Sequence, residues 1–139
     1  MEIKKEILDR IIKSKDETIT ENIESVYNFL SEHVPGCLVK KRNDRHSSYG
    51  LKHKLERILG HYVSNLDVKY CMELLGVKSW PCGINYFYPL SERWYKEMEK
   101  LADKKDEEKF ERERIARGEI APVSFTMAEL GRWAKYGRI

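Results

Sequence analysis

Apolar residues recur at helical spacing along most of this chain, and glycine, proline and capping residues interrupt them at short intervals. One stripe runs from Ile3 to Ile12, and a second runs from Ile19 to Val34 before Pro35 and Gly36. Spacings of three and four residues place such side chains on one face of a helix. The pattern therefore predicts a series of short helices that share one core.

The N-terminal quarter is predicted to form two helices. The first covers residues 2–14, and the second follows a capping box formed by Thr18 and Glu21, which satisfies two free N–H groups at the helix start. A short polar connection separates the two stripes. We expect residues 1–36 to form an antiparallel helical hairpin.

The centre of the chain alternates between strand and helix signals. Residues 37–41, CLVKK, and residues 84–90, INYFYPL, are candidate strands, whereas SWPCG is expected to be a turn. A helix is predicted to begin at Ser47 or Ser48 and end at Gly60. Another is predicted between Ser64 or Asn65 and Gly76.

A long helix capped by Ser91 is expected to continue through the charged residues 103–114 and end at Gly118. IAPVSF is a third strand candidate, and Thr126 and Glu129 form a second capping box for a terminal helix. The predicted fold is helix-dominated α+β, with five or six helices and a small antiparallel sheet of two or three short strands. We expect one domain over residues 1–139, made of the hairpin 1–36, a basic α/β centre 37–90 and the helices 91–139.

The net charge of +3 is unevenly distributed. Residues 40–61 contain seven Lys or Arg and two acidic residues, a local charge of +5, so the rest of the chain sums to −2. A concentration of positive charge attracts phosphate or an acidic partner. We call residues 40–61 the basic segment.

The basic segment supplies the candidate binding residues. Tyr49, His53 and Arg57 are spaced by four and fall on one outward helical face, where cations can neutralise phosphate and an aromatic ring can stack on a base. The predicted nucleic-acid or partner-binding set is Lys40, Lys41, Arg42, Arg45, Tyr49, Lys52, His53, Lys54 and Arg57. A solvated face that happens to be basic explains the same residues equally well.

Helices 48–59 and 65–75 also suggest a helix-turn-helix regulator that binds DNA. The GHYVS connection is longer than the usual turn of three or four residues. The second helix is expected to expose Asp67 and Glu73 against only Lys69, which suits a major groove poorly. This regulator is the alternative function.

The sequence gives little support for catalysis or a metal site. His53, Glu56 and His61 lack the HExxH order, and no GxSxG or phosphate-cradling glycine loop is present. The three cysteines form no CxxC and are expected to be buried thiols, with Cys71 on an inward stripe. We expect no catalytic residues, no metal and no cofactor.

No apolar run reaches membrane-spanning length, and MEIKKEILDR mixes acids with its lysines, unlike a signal peptide. We therefore expect a cytoplasmic protein with no membrane partner. The oligomeric state is not predicted.

The run SSYGLKH followed by ERILGHYVSN resembles a segment of small uncharacterised proteins from phages and integrative elements of Gram-positive bacteria. The matching positions are Ser48–His53, Glu56, Tyr62–Asn65 and Asn85–Tyr88. The resemblance covers about a third of the chain and implies a mobile-element setting in a bacterial host cell. In that setting a small non-enzymatic protein is expected to bind nucleic acid or a host nucleoprotein complex, for example as an anti-CRISPR-like inhibitor.

Overall fold

The computed structural model describes residues 1–118. Within them lie five helices and a two-stranded antiparallel sheet, which confirms the helix-dominated α+β class. The elements are α1 (Lys5–Ile11), α2 (Ile23–His33), α3 (Ser48–Leu59), α4 (Asn65–Leu74), β1 (Trp80–Cys82), β2 (Asn85–Phe87) and α5 (Glu92–Ala116).

Helix α4 is the centre of the packing. Every residue from Leu66 to Met72 is buried, and α1, α2 and α3 all contact this helix. Both α1 and α2 pack against α4 more extensively than against each other. A helix buried all round must be covered by several neighbours, and these three supply that cover.

The sheet is a tight hairpin. Trp80 pairs with Phe87 and Cys82 with Asn85, which leaves a two-residue connection in which Gly83 adopts a φ of +63°. The predicted turn SWPCG is therefore mostly strand β1, because Trp80–Cys82 pair with the expected strand of residues 84–90. Residues 37–41 contribute only an isolated bridge between Leu38 and Leu90.

Several helix ends follow local sequence signals. Ser47 accepts a hydrogen bond from the Gly50 backbone N–H, and Gly60 ends α3 in the left-handed conformation. Ser91 Oγ accepts from the Trp94 backbone N–H at the start of α5. These caps confirm the predicted ends because each depends on residues within one turn.

The predicted capping box at Thr18 and Glu21 is wrong. Helix α2 begins at Ile23, and Asn22 caps it without a side-chain hydrogen bond. The capping box instead stands at α4, where Ser64 Oγ accepts from the Asp67 backbone N–H and the Asp67 carboxylate accepts from Ser64 N–H. Ser64 Oγ also donates to the backbone oxygen of Thr18, 2.7 Å away.

Two buried charges fix the chain that precedes α2. The fully buried Asp67 carboxylate accepts hydrogen bonds from the Thr20 backbone N–H at 2.8 Å and from Thr20 Oγ1 at 2.5 Å. Lys69 is also fully buried; its ammonium group pairs with Glu17 and donates to the Ile84 backbone oxygen at 2.8 Å. The expectation that α4 exposes Asp67 and Lys69 is therefore wrong.

The chain consists of two compact units that meet in sequence after Lys105. Helix α5 contains residues of both units. Among residues 1–118, all of the buried core residues lie in residues 1–105. In residues 106–118, Phe110 is exposed and Gly118 follows the end of α5 with a φ of +77°. The third strand candidate, the Thr126–Glu129 capping box and the terminal helix lie outside the described residues.

None of the helices in residues 1–118 combines the length and the apolar character needed to span a membrane.

Replacing Asp67 with alanine is expected to lower the free energy of unfolding by about 3 kcal/mol, because three buried or half-buried donors lose a charged acceptor. Chemical denaturation followed by circular dichroism measures this change. Asp9→Ala is the matched control, since this exposed carboxylate should change stability by less than about 0.5 kcal/mol. Equal stability of the two variants would contradict the structural role of Asp67.

Candidate functional site

The cations of the basic segment occupy three different settings. Lys54 and Arg57 point towards α5, Lys52 is buried beside two tyrosines, and the remaining cations belong to the connection before α3. We call residues 40–45 the basic loop. We expect from the sequence that these seven cations lie largely on one surface, because the loop leads directly into the helix. Their partners in the structure differ from one setting to the next.

Carboxylates of α5 neutralise the outer cations of α3. Arg57 contacts Glu99 at 3.0 Å and Asp103 at 2.6 Å, and Lys54 lies 3.5 Å from Glu99. The hydrogen bond from Arg57, with a smaller contribution from Lys54, lowers the pKa of Glu99 from its ordinary value. These cations therefore hold α3 to α5 and are not freely available to an outside anion.

Lys52 is buried, in contrast to the predicted solvent-facing position. Its ammonium group lies 2.5 Å from Glu56 Oε1. The same group sits 4.9 Å from the ring centre of Tyr62 and 5.7 Å from that of Tyr49. This arrangement stabilises a charge next to the core through one ion pair and two cation–π contacts.

Tyr49 and His53 remain on the outer face of α3, as the helical spacing predicted. Both side chains are exposed, and their rings meet edge to face with centres 4.6 Å apart. His53 Nδ1 lies 3.6 Å from Glu56. An exposed aromatic pair of this kind provides contact area for a partner.

The basic loop is held in place by backbone hydrogen bonds. Val39 N–H donates to the Pro89 oxygen at 2.8 Å, and Asn43 N–H donates to the Tyr88 oxygen at 2.9 Å. The Asn43 side chain also donates to the Leu90 oxygen and to Glu92. The loop therefore has a defined path although its charged side chains are exposed.

His46, which directly follows the basic loop, contacts α5. Its Nε2 lies 2.9 and 3.0 Å from the two Glu92 oxygens, and its ring stacks on Tyr95 with a centre distance of 4.0 Å. The His46 hydrogen bond, followed by the one from Asn43, lowers the pKa of Glu92. His46 thus serves as a structural contact.

The loop cations differ from those of α3. Arg42 pairs with Asp44 at 2.7 Å, but both partners are about half exposed, and such pairs are weak. Lys40, Lys41 and Arg45 form no ion pair with the described residues. Lys41, Arg42 and Arg45 line an open depression of about 440 Å³ together with the apolar side chains of Val39 and Leu90.

The histidines and cysteines are dispersed over the described residues. His61 Nε2 bonds to Ser25 Oγ at 2.9 Å, whereas His53 contacts Glu56. Burial raises the pKa of the Cys71 thiol well above its ordinary value, which disfavours the thiolate that a nucleophile needs. Contrary to expectation, Cys37 and Cys82 are exposed. Within residues 1–118, no three His, Cys, Asp or Glu side chains cluster as a metal site would require.

The burial of α4 argues against the helix-turn-helix alternative. A recognition helix must present side chains to the major groove, but Leu66–Met72 are buried without interruption. Glu73 is half-buried and pairs with Arg10 at 2.9 Å. The expected acidic surface on α4 is therefore wrong for Asp67, which is fully buried.

Comparison with known proteins identifies no relative of this chain. No family model matches the chain, and neither the curated proteins nor the solved structures contain a significant match.

Replacing Glu99 with glutamine is expected to lower the free energy of unfolding by less than about 1 kcal/mol at neutral pH, because the contacts with Arg57 and Lys54 are partly solvated. The folded-state pKa of Glu99 lies below the ordinary value of 4.5. Its ionised form therefore stabilises the fold above that value, and the contribution is lost as the pH falls through the folded-state pKa.

Denaturation of wild type and Glu99→Gln at about pH 7 and about pH 3.5 measures this effect, and the difference should shrink at the lower pH. The exposed Glu21 provides a matched control as Glu21→Gln. A difference for Glu99→Gln that is equal at both values would exclude an electrostatic contribution from the α3–α5 ion pairs.

Proposed function

We propose that this protein is a non-enzymatic binding protein that contacts the phosphates of a nucleic acid, free or within a nucleoprotein complex, through the basic loop. The observation that carries the proposal is a contrast between two groups of cations. Lys40, Lys41 and Arg45 of this loop form no ion pair with the described residues, whereas Lys54 and Arg57 of α3 pair with carboxylates of α5. Attraction between clustered lysine or arginine and phosphate provides most of the affinity in sequence-independent binding.

The accessibility of its cations favours the basic loop over α3 as the phosphate-binding site. Lys40 and Lys41 are exposed and adjacent, and Arg45 lies on the same depression as Lys41. An anion that approached Arg57 would have to compete with two carboxylates that already contact its guanidinium group. The binding set predicted from the sequence therefore narrows to the residues of the basic loop.

The scaffold supports a defined contact. Backbone hydrogen bonds from Val39, directly before the loop, and from Asn43 within it hold the loop against Pro89 and Tyr88. Binding to a preordered loop loses less conformational entropy than binding to an unfolded segment. The depression is too open to enclose a small molecule, so a long polyanion lying across the surface suits it better than an isolated metabolite.

The biological role we propose follows from this chemistry and from the mobile-element setting that the resemblance implies. A small protein that binds phosphates without an exposed recognition helix would bind nucleic acid with little sequence preference. A host defence nucleoprotein offers such phosphates beside protein surfaces. We therefore propose an anti-CRISPR-like inhibitor that blocks such a complex stoichiometrically.

Replacing Lys40, Lys41 and Arg45 together with alanine is expected to weaken binding to a single-stranded oligonucleotide. It should also reduce the slope of log K against log salt by about 2, since each single-strand phosphate contact contributes about 0.7. Fluorescence anisotropy over a salt series measures both quantities. The change should leave the fold intact because all three side chains are exposed.

The matched control is Lys5→Ala, Lys15→Ala and Lys100→Ala in one variant, which removes the same charge from exposed positions elsewhere. This variant should lose much less affinity and keep most of the salt slope. A comparable loss in both variants would indicate attraction by net charge alone and contradict a site at the basic loop. Absence of oligonucleotide binding by the wild type would contradict the proposed function itself.

A further inference from the structure

A second depression lies away from the basic loop, between the start of α3, the connection from α3 to α4 and the β1–β2 turn. It has a volume of about 290 Å³ and includes Tyr49, Tyr62 and Ile84 in its lining. We call it the tyrosine pocket. It shares no lining residue with the depression at the basic loop.

The tyrosine pocket is unusual because its apolar side chains remain uncovered. Tyr49 is 50% exposed, Tyr62 58% and Ile84 46%. Neither tyrosine hydroxyl forms a hydrogen bond with a described residue. Tyrosines concentrated around a depression are typical of the few residues that dominate a protein interface.

Lys52 forms the floor of the tyrosine pocket. Its side chain is only 9% exposed, and its charge is matched by Glu56. The ammonium group contacts both rings, which favours their observed positions while about half of each side chain remains exposed. The rings are therefore preordered, and less conformational entropy is lost when a partner binds.

The remaining charge at the tyrosine pocket is negative. Glu17 is compensated by the buried Lys69, and its second oxygen accepts from the backbone N–H groups of Lys13 and Ser14. The exposed Asp16 carboxylate forms no ion pair with the described residues. Asp16 thus leaves a net charge of −1, which disfavours phosphate and favours a cation.

We infer that the tyrosine pocket binds an arginine side chain presented by a protein partner. A guanidinium group is planar and weakly hydrated, so it can stack on a tyrosine ring while it donates hydrogen bonds to a carboxylate. The pocket supplies both features in Tyr49 or Tyr62 and Asp16. This inference stands apart from the proposed function, since it concerns a protein partner and a different set of residues.

The test is a titration of the ¹⁵N-labelled full chain with the peptide acetyl-Gly-Arg-Gly-amide, followed by amide chemical shifts. Saturable shifts are expected at Asp16, Tyr49, Tyr62 and Ile84. The same peptide with citrulline in place of arginine keeps the shape and removes the charge, and it should bind roughly tenfold more weakly. Oligothymidylate is titrated separately and should leave these four amides unchanged.

Variants identify the contacts. Asp16→Asn should lower the affinity for the arginine peptide roughly tenfold. The double change Tyr49→Ala with Tyr62→Ala should lower it by a similar factor. Phe110→Ala is the matched control, because it removes an aromatic ring that is 65% exposed outside the pocket and should leave binding unchanged. Tyr49→Phe with Tyr62→Phe keeps the rings and should retain most of the affinity, which guards against loss of fold in the alanine variant.

Two outcomes would overturn the inference. The first is an absence of saturable shifts with the arginine peptide, or shifts that persist unchanged in the Asp16 and tyrosine variants. The second is a response of these amides to oligothymidylate alone, which would assign the tyrosine pocket to nucleobases. Loss of oligonucleotide binding in the basic-loop variant with peptide binding intact would separate this site from the proposed function.

Discussion

The structure depends on the pairing of two charged residues, Asp67 and Lys69, that are fully buried on α4. The Asp67 carboxylate accepts a hydrogen bond from the Ser64 N–H at the start of α4 and also binds Thr20. Lys69 binds Glu17 and the Ile84 oxygen. An unpaired buried charge costs several kcal/mol, so these contacts must form together with the core. They connect the chain before α2 and the β1–β2 turn to one helix, and thereby position the tyrosine pocket.

The features that could be predicted from the sequence are those that depend on neighbouring residues. Ser47 and Gly60 delimit α3 because a cap and a left-handed glycine act within one turn. The Thr18–Glu21 box failed although its pattern is correct, since neighbouring residues of that segment are used by partners about fifty positions away: Thr20 binds Asp67, and Glu17 binds Lys69. A local sequence pattern does not show that a residue will contact a partner far along the chain.

The candidate site shows the same limit. Composition identified a basic segment, and helical spacing placed Tyr49 and His53 outside correctly. The acids that neutralise Lys54 and Arg57 lie more than forty residues further along, on α5. A local charge count cannot anticipate this pairing, because α5 has both signs of charge along its length and only the fold selects which ones meet α3. The accessible positive charge of the basic segment therefore lies on the basic loop.

The ion pairs between α3 and α5 also have a consequence for selectivity. Glu99 and Asp103 occupy the places on Arg57 that a phosphate would take, so the protein carries its own competitor for that side chain. Under the proposed function, an isolated phosphate would have to displace both carboxylates for a single contact. A polyanion already bound at the basic loop would reach Arg57 at high local concentration. Under the proposed function, the carboxylates of α5 would disfavour the binding of small anions at Arg57.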